Sequence, residues 1–156
     1  MIFRIYSIGR EKNKQLAAVR KIYLKRLSRY IRVEFHHIRE ARRGNKENTA
    51  VIRELEGEFL LKKCGPDSYV IALTEKGTRV TSRGLAKRAA SLLRSGKKEV
   101  VFLVGGASGL GENVIDRADF TLSLSLLTFP HEIAQLVLCE QLYRSFTIIK
   151  GESYHK

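Results

Sequence analysis

Strand-like and helix-like segments alternate from one end of this 156-residue chain to the other. That alternation predicts an α/β fold with a mainly parallel sheet flanked by helices. Two further observations agree. Apolar runs such as Val100–Val104 suit strands buried in a sheet. The longer segments carry apolar residues at steps of three and four, the spacing of a helix that buries one side. No composition break, internal repeat or low-complexity stretch divides the chain, so residues 1–156 read as a single domain able to bury its own core.

Ile2–Ile8 reads as a strand closed by Gly9. Lys14–Tyr30 reads as a helix with Leu16, Val19, Tyr23, Leu27 and Tyr30 inward; Lys14, Arg20, Lys21, Lys25, Arg26 and Arg29 form its outer face. Ile31–Ile38 alternates as a second strand, with His36 and His37 on opposite faces. Arg39–Lys46 is a basic loop containing Arg42, Arg43 and Gly44. Glu47–Lys63 returns to helix, with Val51, Ile52, Leu55, Phe59 and Leu60 inward, and Cys64–Asp67 is a turn. Tyr69–Leu73 is a short buried strand and Thr74–Val80 a loop. Thr81 or Ser82 caps a helix that buries Leu85, Ala89, Leu92 and Leu93 and ends at Gly96. Glu99–Val104 is a strand, Gly111–Ala118 a short helix and Phe120–Ser123 the last strand. Pro130 suits the first turn of a final helix carrying Ile133, Ala134, Leu136, Val137, Leu142, Tyr143 and Phe146.

The net charge of +13 is unevenly spread: residues 1–66 hold 17 Lys+Arg against 7 Asp+Glu, whereas residues 67–156 hold 12 against 9. The asymmetry points to a polyanionic partner such as RNA; the plain alternative is a solvated basic surface. No apolar run is long enough to span a membrane, and the N-terminus alternates like a strand instead of offering the apolar core of a signal peptide. A cytoplasmic protein without a membrane partner is the expectation. Cys64 and Cys139 read as reduced thiols. The histidines lack metal-ligand spacing, so no metal is expected.

In open α/β sheets ligands bind beyond the carboxyl ends of the strands, where Leu73–Gly77, Gly105–Gly109 and Ser123–Phe129 fall. Gly105-Gly106-x-x-Gly109 permits close approach of backbone to a ligand. It is neither a P-loop, lacking the following Lys, nor the G-x-G-x-x-G fingerprint; a tight strand-to-helix turn also accounts for it. Ser123–Pro130 sets leucines among hydroxyls, a loop that can wrap an apolar aromatic ring and offer N–H and C=O groups to its edge, as adenine requires. The alternative there is an ordinary strand end and a helix capped by Thr128. His131 at a helix start is a packing, capping or catalytic residue. No nucleophile elbow, Cys/His pair or readable carboxylate pair supports hydrolase chemistry.

Five ordered segments carry a resemblance: Val101–Leu110 (VFLVGGASGL), Leu122–Ser125, Thr128-Phe129-Pro130-His131, Glu140–Arg144 and Tyr154-His155. Together they resemble the RlmH family, SPOUT-class methyltransferases acting on a pseudouridine of large-subunit (23S) ribosomal RNA. The resemblance implies a SPOUT-like fold whose C-terminal half forms a trefoil knot, a homodimer, and S-adenosyl-L-methionine bound in the knot. Carried over residue by residue, it implies cofactor contacts at Leu73, Gly105, Leu124, Ser125, Leu126, Leu127, Thr128 and Phe129. The chain departs from the family at Thr74, where Asp is usual, at Thr81-Ser82-Arg83, at Glu132, and at Ser153, where Pro commonly precedes the Tyr. Methylation at N3 of pseudouridine requires loss of an imide proton. Candidate catalytic residues are His131, His155 and Tyr154, with Arg144 steadying the anionic base or a phosphate. A basic ribosomal-RNA-binding protein without activity is the alternative reading, and a phosphoryl-handling enzyme a third.

Overall fold

Five strands carry the fold, and period-two alternation decides which side chains each sends to either face. The computed structural model describes residues 1–41 and 48–156. The elements run β1 (Ile2–Ile8), α1 (Lys14–Leu27), β2 (Arg32–Ile38), α2 (Thr49–Leu61), β3 (Tyr69–Arg79), α3 (Ser82–Arg94), β4 (Glu99–Val104), α4 (Glu112–Arg117), β5 (Phe120–Ser123) and α5 (His131–Ile149). The sheet order is β2-β1-β4-β3-β5 and every pairing is parallel. The loop residues Arg42, Arg43 and Gly44 lie outside the described residues.

Phe3 and Ile5, Ile71, and Val100, Phe102 and Val104 point to one face, where Leu27 of α1, Leu85 and Leu92 of α3 and Leu138, Leu142 and Phe146 of α5 cover them. The intervening residues Tyr6, Ile8, Val70, Ala72, Val101 and Leu103 point to the other face, against Leu60 of α2 and Val114 of α4. Both faces being covered explains why Val100–Val104 of β4, the middle strand, is an unbroken apolar run. Asn13 caps α1 through Oδ1, which accepts from the Gln15 and Leu16 amides, and Thr81 Oγ1 accepts from Gly84 N to cap α3.

Several sequence expectations need correction. Val19 of α1 is 40% exposed while Arg20 is buried, so the inward stripe runs through Ala17, Arg20 and Leu27. The cause is a buried polar layer between α1 and α5 that accepts the guanidinium. Val51 and Leu55 of α2 also face outward, and Glu56 and Gly57 lie inward, because α2 turns a polar edge toward Ala41, whose amide donates to Glu56 Oε1, and toward α4. On α3, Leu93 is exposed and Ala86 takes its place inside. Pro130 stands at the N-cap of α5 instead of inside its first turn, and no side chain caps that helix.

The largest difference lies in β3. Thr74–Val80, read as a loop, belongs mostly to a long interrupted strand. Leu122 of β5 stands opposite both Leu73 and Thr78, so residues 74–77 are looped out of the ladder as a wide bulge. Gly77 makes this possible: a Cβ there would lie 2.7 Å from the Leu122 carbonyl carbon and 2.9 Å from the Ser123 amide nitrogen. An isolated glycine in a strand-like run signals such an approach.

Candidate active site

The bulge, the β4–α4 turn and the β5–α5 loop surround one cavity of about 860 Å³ beyond the carboxyl ends of β3, β4 and β5. That size suits a drug- or cofactor-sized ligand. Leu73, Gly105, Leu124, Ser125, Leu127, Thr128 and Phe129 line it, and so does His131. Leu126 does not line it and is 79% exposed. Residues 74–76 and Arg53 also line it. The sequence reading gave Arg53 no role; a lone arginine on a helix carries no local mark of a pocket formed by distant loops.

Each wall has a local cause. Gly109 has φ +81°, and its amide donates to the Gly106 carbonyl at 3.0 Å, closing the glycine turn. A Cβ on Gly105 would lie 2.5 Å from the Gly109 carbonyl carbon, so Gly105 is needed to fold the turn tightly. In the next loop, Ser123 Oγ donates to the Ser125 carbonyl and Leu127 N donates to Ser125 Oγ, each at 2.9 Å. These hydroxyl bonds hold the backbone while Leu124, Leu127 and Phe129 supply apolar lining. His131 opens α5 at the cavity wall, and its Nε2 is buried without a hydrogen-bond partner among the described residues. A buried unpaired ring nitrogen is costly.

The other three candidate catalytic residues gather elsewhere, about 20 Å from His131 along α5 at 1.5 Å per residue. Arg144 Nε and Nη2 donate to Glu140 Oε1 at 2.9 and 2.6 Å, and the guanidinium lies 4.6 Å from the Tyr154 ring centroid. Tyr154 Oη donates to the same Glu140 oxygen at 3.0 Å, and its ring meets Tyr143 edge-on at 4.8 Å. His155 Nδ1 is 3.5 Å from Arg144 Nη1. Glu140 is therefore the hub of this cluster, a role the sequence reading did not give it, although its spacing of four from Arg144 is that of a helical ion pair. Burial first, then hydrogen bonding with Tyr23 and Glu140, pushes the Tyr154 phenol well above its usual range. It stays protonated near neutrality, suited to donate or stack and unsuited to accept a proton.

Among the described residues, no group of three or more His, Cys, Asp or Glu could hold a metal, and no helix is long and apolar enough to cross a membrane. Cys64 and Cys139 are free thiols, and burial pushes the Cys139 thiol up to about 12.

The parallel sheet and the cavity at its carboxyl edge belong to a fold shared with known methyltransferases. The family model described as "Predicted SPOUT methyltransferase" matches residues 1–155. Solved structures share the fold at low identity: a probable methylase family protein from Haemophilus influenzae Rd KW20 superposes with a TM-score of 0.58 at 13% identity, covering 99% of this chain and 70% of that one. A probable methyltransferase from Bordetella pertussis Tohama I gives a TM-score of 0.58 at 13% identity, with 92% and 95% covered. Relatives matching along the full length of both chains are named ribosomal RNA large subunit methyltransferase H. The one from Anaeromyxobacter sp. (strain Fw109-5) is 43% identical over 156 residues, and that from Halothermothrix orenii 43% over 159. The chain belongs to the RlmH family of SPOUT methyltransferases.

Proposed function

We propose that this protein methylates large-subunit (23S) ribosomal RNA, at N3 of a pseudouridine, using S-adenosyl-L-methionine, as a cytoplasmic homodimer whose protomer is a single domain spanning residues 1–156. The observation that carries this reading is the cavity bounded by Leu73, the Gly105 turn and the 124–129 loop, in a chain whose full-length relatives bear the ribosomal RNA methyltransferase name. The residues fit the cofactor. Leu124, Leu127 and Phe129 offer apolar surface to an adenine ring, and the glycine turn leaves backbone bare beside it. The close passage of Gly77 over Leu122 supports the knot that the family resemblance implies.

When bound, the cofactor supplies a methyl group already activated on a sulfonium, so the protein's share is positioning and proton removal. His131, whose Nε2 has no hydrogen-bond partner among the described residues, would accept the imide proton directly or through a water. Arg144, Tyr154 and His155 form the second half of the site, stacking on the flipped base and steadying its charge. Within one chain they are too far from the cavity to act there. Two copies packed with α5 helices antiparallel would bring the tail of one to the cavity of the other. Half-buried Ile133, Leu136 and Val137 on α5 and exposed Leu126 and Leu127 supply apolar surface for that contact.

Calorimetry with S-adenosylmethionine and S-adenosylhomocysteine tests the reading. Wild-type protein should bind both without RNA, and Gly105→Val should bind neither, because its side chain has to displace the Gly109 backbone and open the turn. Absence of heat from wild-type protein at millimolar ligand rejects the methyltransferase reading and leaves the passive RNA-binding protein.

A further inference from the structure

The sequence reading located the polyanion handle in residues 1–66, yet residues 76–98 hold eight Lys or Arg and no Asp or Glu. The structure arranges that stretch. At 100° per residue, Arg83, Lys87 and Arg94 fall within about 40° of one another around α3, opposite the buried Leu85, Ala86, Ala89 and Leu92. All three are exposed, as are Lys76 and Arg79 on the β3 segment leading into α3. Lys76 lines the cavity, so the stripe begins at its rim and continues about 16 Å along α3 from Arg83 to Arg94.

None of these five cations enters an ion pair among the described residues. Arg4, Arg20, Arg117 and Arg144, by contrast, each have a carboxylate partner. Arg88 of the same helix is also accounted for, its guanidinium 3.6 Å from the Phe120 ring centroid. Like charges four residues apart repel on a helix, and Arg83 and Lys87 stand at that spacing.

We propose that the outer face of α3, with Lys76 and Arg79, is the surface on which the phosphate backbone of the substrate RNA lies as its target base enters the cavity. The inference rests on the RNA-methylating reading above and adds the binding surface to it. The occupant is a polyanion because the stripe sets five cations against one exposed acid, Glu75 at the cavity rim, and an RNA because the stripe is linear and runs into the site where a base would be modified. A second copy of this chain is disfavoured there, since it would oppose five cations to five cations.

Filter binding of deproteinised large-subunit RNA, measured from about 50 to 200 mM salt, tests the surface with the full chain. The triple variant Arg83→Gln/Lys87→Gln/Arg94→Gln keeps helix propensity and apolar packing. It should bind RNA about tenfold more weakly, with the log-affinity against log-salt slope reduced by about two to three, at roughly 0.9 per phosphate contact. Calorimetric affinity for S-adenosylmethionine and the melting temperature should match wild type. Lys21→Gln/Lys25→Gln/Arg29→Gln on α1 should lose less, and the single reversal Lys87→Glu should weaken binding if the triple folds poorly. An unchanged slope in the α3 triple, equal loss in both triples, or competition by polyglutamate as effective as RNA would overturn the proposal. Wild-type protein that binds this RNA but transfers no methyl group to it or to assembled large subunits and ribosomes would refute the catalytic reading and leave the surface standing. Methyl transfer unaffected by the α3 triple would refute the surface alone.

Discussion

Arg20 is a basic residue on an amphipathic helix that does not reach water. Its Nη1 donates to Gln135 Oε1 at 2.6 Å, its Nη2 pairs with Glu11 at 2.8 Å, and its guanidinium lies 4.1 Å from the Phe35 ring centroid. Gln135 in turn donates to Ser7 Oγ at 2.8 Å, and Glu132 Oε1 accepts from the Lys12 and Asn13 amides. The β1–α1 connection is thereby tied to the first turns of α5, where His131 sits. Arg20→Ala strands the buried Gln135 oxygen and unpairs Glu11, at a cost of roughly 3 kcal/mol. The melting temperature should fall by on the order of 10 °C. A change under about 2 °C, accompanied by weaker RNA binding, would return Arg20 to the outer basic face of α1 on which the sequence analysis places it. His37 adds a pH dependence. Burial, then the charge of Arg20, holds its imidazole below the ordinary 6.5. The unfolded chain therefore binds more protons, so stability is present above about pH 6.5 and declines as pH falls through and below that value. Arg20→Ala should shallow that decline in melting curves recorded between about pH 7 and 5.

Element by element, the tail departs most from its sequence expectation. Residues after a last helix usually fray, yet Tyr154 is fastened to Tyr143 and Glu140, and Glu152 accepts from Tyr30 Oη at 2.7 Å. Deleting Ser153–Lys156 should cost about 1–2 kcal/mol from the lost ring pair and hydrogen bond. Cofactor affinity should hold and methyl transfer should vanish. If tail and cavity meet only between copies, mixing the tail-deleted chain with Gly105→Val chains should restore part of the activity, because one mixed site keeps both halves. Mixtures as dead as either parent would argue against a shared site. Strands β1, β4 and β5 and the short helix α4 were legible because apolar runs ended at glycines or polar turns. The second half of β3 was not: Thr74–Arg79 is polar, and its strand pairing depends on Leu122, far along the chain. The wrong faces of α1 and α2 share a physical cause, since buried Arg20 and Glu56 find partners that only the folded chain provides.

For the whole molecule, charge and cavity together decide what substrate is best. The only base-sized recess the mechanism uses is the cavity, so sequence readout should be slight and specificity should come from the shape of a large RNA. Methyl transfer to assembled ribosomes or large subunits should exceed transfer to a short stem-loop carrying the same pseudouridine by orders of magnitude, as followed with labelled cofactor. Equal turnover would remove the shape argument. The cavity's residues were legible as ordered segments, but the folding back of the tail onto α5 was not, because the contacts of Tyr154 with Glu140 and Tyr143 and of His155 with Arg144 exist only in the folded chain. The strand order has one more consequence, for colloidal behaviour. Among the described residues the five-stranded sheet ends in two strands with no neighbour beyond them, β2 and β5, and open edges invite other chains to add on. Here β5 is only four residues long, and β2 carries Arg32, Glu34 and His36 along one side, joined by the Arg32–Glu34 pair. An incoming strand would have to desolvate those charges or find a pairing partner too short to hold it, so the sheet discourages edge-to-edge aggregation by its own composition.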